Sequence, residues 1–292
     1  MRRTAADKTG IFTTVPIGRA LSIMALRIAR PANAVDKLPG VLWIHGGGYI
    51  VGMSSMLYFS RAIDLVRQGK AVAVSPEYRL AHTAPYPAAA EDCYAALKYM
   101  KEHAEELGIR DDQLFVGGES AGGGLAVAVS LMARDRREVN IAFLMPLYPM
   151  LDCEDTDSSR DNHGRVWNTR RNHYAWKRYL RDIDGPVPSY ASPSREKKYR
   201  KLPPTYTFVC EGEPFYDETK AYIWKLRRAD VKAEMDIFPG NVHAFDMLMP
   251  WKKDSIQAKH NFQRQFDNAV RNYRAPQPGK EDPEDRGHIK RK

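Results

Sequence analysis

The chain has 292 residues, 43% of them hydrophobic, and 45 Lys/Arg against 36 Asp/Glu give it a net charge of +9. That length supports one large core, or one core with a small insertion, without covalent or metal staples. No apolar run reaches the roughly 18 residues of a membrane span, and three scattered cysteines (Cys93, Cys153, Cys210) exclude a disulfide or zinc framework.

From the start of the chain, Arg19, Arg27 and Arg30 interrupt every apolar stretch after Met1-Arg2-Arg3. No secretory signal is expected, and the reading is a cytoplasmic chain. Ile11 to Arg30 alternates loosely and predicts one or two antiparallel strands ending at Pro31. Val41 to Ile44 and Ala71 to Ser75 are short apolar runs without alternation, as in strands buried on both faces. Ala88 to Leu107 reads as one helix, with Cys93, Leu97, Met100 and Ala104 on a common face and Gly108 ending it. A strand at Leu114 to Val116, a helix from Ser120 to about Arg134 and a strand at Ile141 to Met145 follow.

From Asp155 to Lys201 this rhythm dissolves into aromatic and basic residues, read as an inserted helix and loops lying over the sheet. The rhythm resumes with a strand at Thr205 to Val209, a helix from Asp217 to Ala229, a strand at Ala233 to Phe238 and a closing helix from Ser255 to Arg271. Alternating strands and helices predict a mostly parallel sheet covered on both faces. Residues 1–275 are thus read as a single unit with a basic insertion at about 155–201, and residues 276–292 as a charged, disordered tail.

The positive charge is local. Arg160 to Lys201 holds twelve Lys/Arg against four Asp/Glu, a net +8. No helix-turn-helix, finger or RNA-binding signature accompanies it, so no nucleic-acid partner is expected. A solvated surface is the plain reading; attraction of an acidic substrate or partner is the sharper one.

Gly118-Glu119-Ser120-Ala121-Gly122 stands between a strand and a helix. A serine on such a turn is held above the sheet in a strained backbone, beside helix N–H groups that suit a developing negative charge. His45-Gly46-Gly47-Gly48-Tyr49 follows another buried strand, and its glycines leave backbone N–H groups uncovered. Serine needs a base. Of eight histidines, His243 alone sits just past the carboxyl end of the last strand, where catalytic loops gather in parallel sheets. An acid to orient it can come from Glu211, Glu213, Asp217 or Glu218, which follow the preceding strand. The chain order serine, acid, histidine is that of α/β-hydrolases.

These two motifs, with Tyr78-Arg79-Leu80-Ala81, Tyr86-Pro87-Ala88-Ala89, Leu202-Pro203-Pro204 and Gly240-Asn241-Val242-His243-Ala244-Phe245, resemble the hormone-sensitive lipase family of α/β-hydrolase carboxylesterases, from about Arg30 to Arg271. The resemblance implies an α/β-hydrolase fold with a small cap. It implies Ser120 as nucleophile, His243 as base, the N–H groups of Gly47, Gly48 and Ala121 as oxyanion hole, and His45 as the residue that orients the glycine loop. The family's acid stands in an Asp-Pro-Leu-x-Asp pattern, which here reads Glu213-Pro214-Phe215-Tyr216-Asp217; Glu213 takes its place, with Asp217 in reserve. The activity implied is hydrolysis of short-acyl, acetyl-like esters through an acyl-enzyme, on a small ester substrate, with no cofactor and no metal. The same machinery would serve an amidase or formamidase, and non-catalytic ligand-binding members exist. A homo-oligomer is admitted. Tyr49, Tyr58, Trp167 and Trp176 are candidates to line the pocket.

Overall fold

The computed structural model describes residues 11–17 and 22–279. Its centre is an eight-stranded sheet of β1 (Ile11–Ile17), β2 (Ser22–Ala29), β3 (Leu38–Ile44), β4 (Val72–Pro76), β5 (Ile109–Glu119), β6 (Phe143–Leu147), β7 (Thr205–Cys210) and β8 (Ala233–Phe238). The spatial order is β1-β2-β4-β3-β5-β6-β7-β8. β1 and β2 pair antiparallel, as does β2 with β4, and the other neighbours run parallel.

The strands explain the apolar runs. Leu42, Ile44, Val72, Val74, Leu114 and Val116 face one core, while their neighbours Val41, Trp43, Ala71, Ala73 and Phe115 face the other. Both faces are buried, so alternation of polarity disappears from the sequence. The first core is closed by α2 (Ala88–Glu102), α3 (Ala104–Leu107), α4 (Ala121–Arg136) and α7 (Tyr216–Arg228). The second is closed by α1 (Arg61–Arg67) and α9 (Lys253–Asn272). Two short helices, α5 (Asp157–Arg160) and α6 (Thr169–Tyr179), lie in the basic insertion, and α8 (Phe245–Leu248) follows His243.

The helix expected over Ala88 to Leu107 is broken at His103, whose ring stacks on Tyr99 one turn back. β5 begins five residues before its apolar run, because its first half passes through the half-buried Arg110, Asp111 and Asp112. β6 lies two residues later than expected, so that Leu147 pairs with Glu119 at the end of β5. α1 carried no expectation; its seven residues are too few to show a periodicity. At the far end, packing runs past the expected boundary at 276. Gln277 is buried, donates to the carbonyls of Asp111 and Asn140, and accepts the Asn140 N–H. The rest of the expected tail, 280–292, lies outside the described residues.

Candidate active site

The loops after β3, β5, β7 and β8 all leave the carboxyl edge of the sheet. β4 lies on one side of β3 and β5 on the other. The chain order reverses there, which opens a crevice at the carboxyl end.

Ser120 stands between β5 and α4 with φ 57° and ψ −120°, a backbone that L side chains adopt only when the surroundings enforce it. Close approach does so here. A Cβ on Gly122 would lie 2.1 Å from the Ile44 carbonyl oxygen and 2.5 Å from that of His45, so only glycine lets α4 start against the end of β3. Behind Ser120, every residue of α4 from Ala121 to Ala133 is buried. The first-turn N–H groups of that helix have no acceptor within it, and Ala121 is the first of them.

Ser120 Oγ–H donates to His243 Nε2 at 2.9 Å. On the other side of the ring, His243 Nδ1–H donates to Glu213 Oε2. With the ring proton held on Nδ1 by the carboxylate, Nε2 is the free acceptor. Glu213 Oε1 accepts the Cys210 N–H at 3.1 Å, which fixes the carboxylate to the end of β7. All three side chains are buried. Burial pushes the Glu213 carboxyl up, against the pull of His243 and the Cys210 N–H.

Of the four carboxylates beyond β7, only Glu213 meets His243. Asp217 instead accepts the Ser158 N–H at 2.8 Å from the first turn of α7. Glu218 is buried and accepts the Leu151 N–H at 2.6 Å, and Glu211 is exposed. Of the other histidines, His173 pairs with Asp155 and His103 with Glu106; His288 lies outside the described residues.

The glycine loop is a tight turn in which the Ile50 and Val51 N–H groups both donate to the Gly47 carbonyl. Gly47 (φ 116°) and Gly48 (φ 60°) sit in the left-handed region that glycine enters without cost from a Cβ. His45 Nδ1–H donates to the Gly46 carbonyl at 2.7 Å, and its ring stacks on Tyr78 at 4.2 Å. The Tyr78 hydroxyl in turn donates to the His45 carbonyl. Burial lowers the His45 imidazole from its ordinary range, which favours the neutral ring in this geometry.

These parts enclose a cavity of about 220 Å³, lined by Gly46, Gly47, Gly48, Ser120, His243 and Glu119 with a ring of apolar side chains. Of the four aromatic candidates only Trp167 lines it. Tyr49 is buried in the core, with its hydroxyl on the Met150 carbonyl and its ring stacked on Tyr179. Trp176 packs against that pair, and Tyr58 packs against the opposite core. Tyr148, Met56, Val166, Ala244, Met247 and Leu248 complete the wall, and no sequence motif points to them as pocket residues. Tyr148 was within reach of the strand-end rule, since it follows β6 directly.

A buried charge system supports the histidine loop. Asp246, fully buried, pairs with Arg61 Nε at 3.0 Å and accepts the Tyr148 hydroxyl. Glu119 receives the Trp43 indole N–H at 2.8 Å on both carboxylate oxygens, and burial pushes its carboxyl up to about 8. Among the described residues, no three His, Cys, Asp or Glu side chains are grouped to hold a metal ion, and no helix is long and apolar enough to cross a membrane.

A largely parallel sheet whose carboxyl-edge loops converge on one buried serine is the α/β-hydrolase architecture. The model for the alpha/beta hydrolase fold matches residues 41–247. The carboxylesterase NlhH of Mycobacterium tuberculosis is 30% identical over 234 residues, 77% of this chain and 72% of its own. An arylesterase of Saccharolobus solfataricus is 30% identical over 209 residues, 70% of this chain and 67% of its own. Among solved structures, a bacterial heroin esterase superposes with a TM-score of 0.84 at 33% identity, covering 90% of this chain and 86% of that one. The chain belongs to this family, the carboxylic ester hydrolases related to hormone-sensitive lipase. It spans between 66% and 74% of the length of eight such curated relatives.

Proposed function

We propose that this chain hydrolyses short-acyl esters, acetyl esters foremost, with Ser120 as nucleophile, His243 as general base and Glu213 as the acid that orients it. The observation that carries this reading is the unbroken contact from Ser120 Oγ through the His243 ring to Glu213 Oε2. His243 takes the hydroxyl proton as Ser120 attacks the ester carbonyl. The N–H groups of Gly47, Gly48 and Ala121 receive the oxyanion, each contributing about 3 kcal/mol in the transition state. His243 protonates the departing alcohol, and water releases the acid by the reverse path. His45, locked between Gly46 and Tyr78, holds the glycine loop in shape.

The short-acyl part rests on size. A cavity of about 220 Å³ falls below the roughly 300–1,000 Å³ of sites that take drug-sized ligands. The three cysteines are free, two of them buried, which fits a reducing compartment such as the cytoplasm. The test is a fluorophosphonate label followed by rates on a series of acyl esters and one matched anilide. Labelling lost in Ser120→Ala, with rates highest at two to four acyl carbons, is the expected result. An unlabelled wild type refutes the nucleophile, a maximum at eight carbons or more refutes the short acyl, and faster turnover of the anilide makes the chain an amidase.

A further inference from the structure

The basic insertion contributes two side chains to the cavity wall, Val166 and Trp167, and no catalytic role accounts for the larger of them. Trp167 lies in the loop between α5 and α6, immediately before the Asn168 N-cap of α6. Its benzo edge covers Gly48: a Cβ built there would lie 2.2 Å from Trp167 Cη2, 3.0 Å from Cζ2 and 3.2 Å from Cζ3. The same ring stands 6.5 Å from the His243 ring and 6.3 Å from Phe215, centroid to centroid. One indole therefore touches the glycine loop and flanks both the histidine and the turn that carries Glu213.

The ring is held in place. Its Nε1–H donates to Asn172 Oδ1 at 3.2 Å, and Asn172 is buried on α6. The loop beneath it is tied internally, with the Gly164 N–H on Asn162 Oδ1 and the Asn168 amide on the Gly164 carbonyl. Asn162 Nδ2 also donates to the Gly212 carbonyl at 3.0 Å, which joins this loop to the turn bearing Glu213. A side chain anchored at its polar atom, its backbone and its ring edge is a fixed wall, since no single rotamer change removes it.

We infer that Trp167 is a specificity-determining residue that sets the upper size of the ester the site accepts, with Asn172 as the residue that positions it. This inference rests on the proposed hydrolase reading of the same site. A wall that stops a chain discriminates by the methylenes it excludes, each worth about 10- to 200-fold in kcat/KM.

The test compares wild type, Trp167→Ala, Trp167→Phe and Asn172→Ala on two ester series. One extends the acyl chain from acetyl to decanoyl on a fixed alcohol; the other enlarges the alcohol on a fixed acetyl. In Trp167→Ala the hexanoyl-to-acetyl ratio of kcat/KM, or its counterpart in the alcohol series, should rise at least tenfold, carried mainly by KM for the larger ester. Whichever series responds names the half that meets the wall. Asn172→Ala should shift the same ratio in the same direction by less, because the wall remains but loses its anchor. A merely structural role would lower rates on small and large esters alike. Trp167→Phe keeps a ring in the slot and carries the comparison if Trp167→Ala does not fold. Ratios unchanged in all variants, with wild-type Ser120 still labelled by a fluorophosphonate, overturn the size wall alone. A wild type that takes no label overturns the hydrolase reading instead.

Discussion

Replacing Glu213 by glutamine separates a catalytic carboxylate from a structural one, and the hydrogen bonds set the size of the effect. The carboxylate serves two donors, the Cys210 N–H on Oε1 and the His243 Nδ1–H on Oε2. A glutamine amide has one oxygen. If that oxygen stays on the Cys210 N–H, the amide NH₂ faces Nδ1 and donates to it. The ring proton then moves to Nε2, where the ring no longer accepts from Ser120. If the amide turns the other way, its NH₂ confronts the Cys210 N–H in a fully buried site, and the imidazolium formed in the reaction has lost its counter-charge. Both outcomes remove what the carboxylate supplies. The corresponding Asp-to-Asn change in the serine protease triad lowers kcat about 10⁴-fold. A fall of about 10³–10⁴ in kcat, or about 4–5.5 kcal/mol of barrier, is expected here, with KM changed only a few-fold. The assay is initial rates on an acetyl ester, with urea unfolding as the control for folding. Asp217→Asn, measured alongside, should stay within a few-fold, because Asp217 holds Ser158 and not the ring. A Glu213→Gln enzyme within tenfold of wild type, or an equal loss in Asp217→Asn, would refute the assignment.

Arg61→Leu leaves Asp246 fully buried without its cation, and unfolding in urea should show a loss of about 3–5 kcal/mol; a change under 1 kcal/mol would mean that the Tyr148 hydroxyl and the Asp246 and Met247 N–H groups satisfy the carboxylate without it. Gly122→Ala should cost at least about 2–3 kcal/mol, since its methyl meets two backbone oxygens that cannot yield without parting α4 from β3; a soluble variant with wild-type melting would contradict that packing. Glu119 predicts a slope with pH. Its folded value is raised to about 8 by burial, so the folded state keeps a proton that the unfolded chain releases. The stability it contributes is fully present below the unfolded value near 4.5 and is lost as pH rises through about 8. Glu119→Gln can still accept from Trp43, and its Tm should fall less than that of wild type between pH 5 and pH 8; parallel curves would remove Glu119 as the cause.

The chain by itself determined the architecture. Runs such as Val41 to Ile44 and Ala71 to Ser75 can be satisfied only between two layers, because no polar face is left for water. Gly118-Glu119-Ser120-Ala121-Gly122 and His243 were equally legible, since a turn this close to a strand admits only glycine and the strand-end position of a histidine can be read from its neighbours. The other decisions belonged to the tertiary structure. Four carboxylates within eight residues look alike in the sequence, and only the direction of the turn after β7 brings Glu213 to the ring while Asp217 and Glu218 go to backbone N–H groups of the insertion and of the loop after β6. Tyr49, Trp167 and Trp176 are all large aromatics that the sequence offers equally as pocket walls. Two of them fill the core and one meets the cavity, because burial of a ring is favourable wherever it occurs and carries no address. The Arg61–Asp246 pair spans 185 positions of chain. Local patterns fix elements; contacts between elements far apart in the chain depend on how loops direct them, and those carry no periodicity to read.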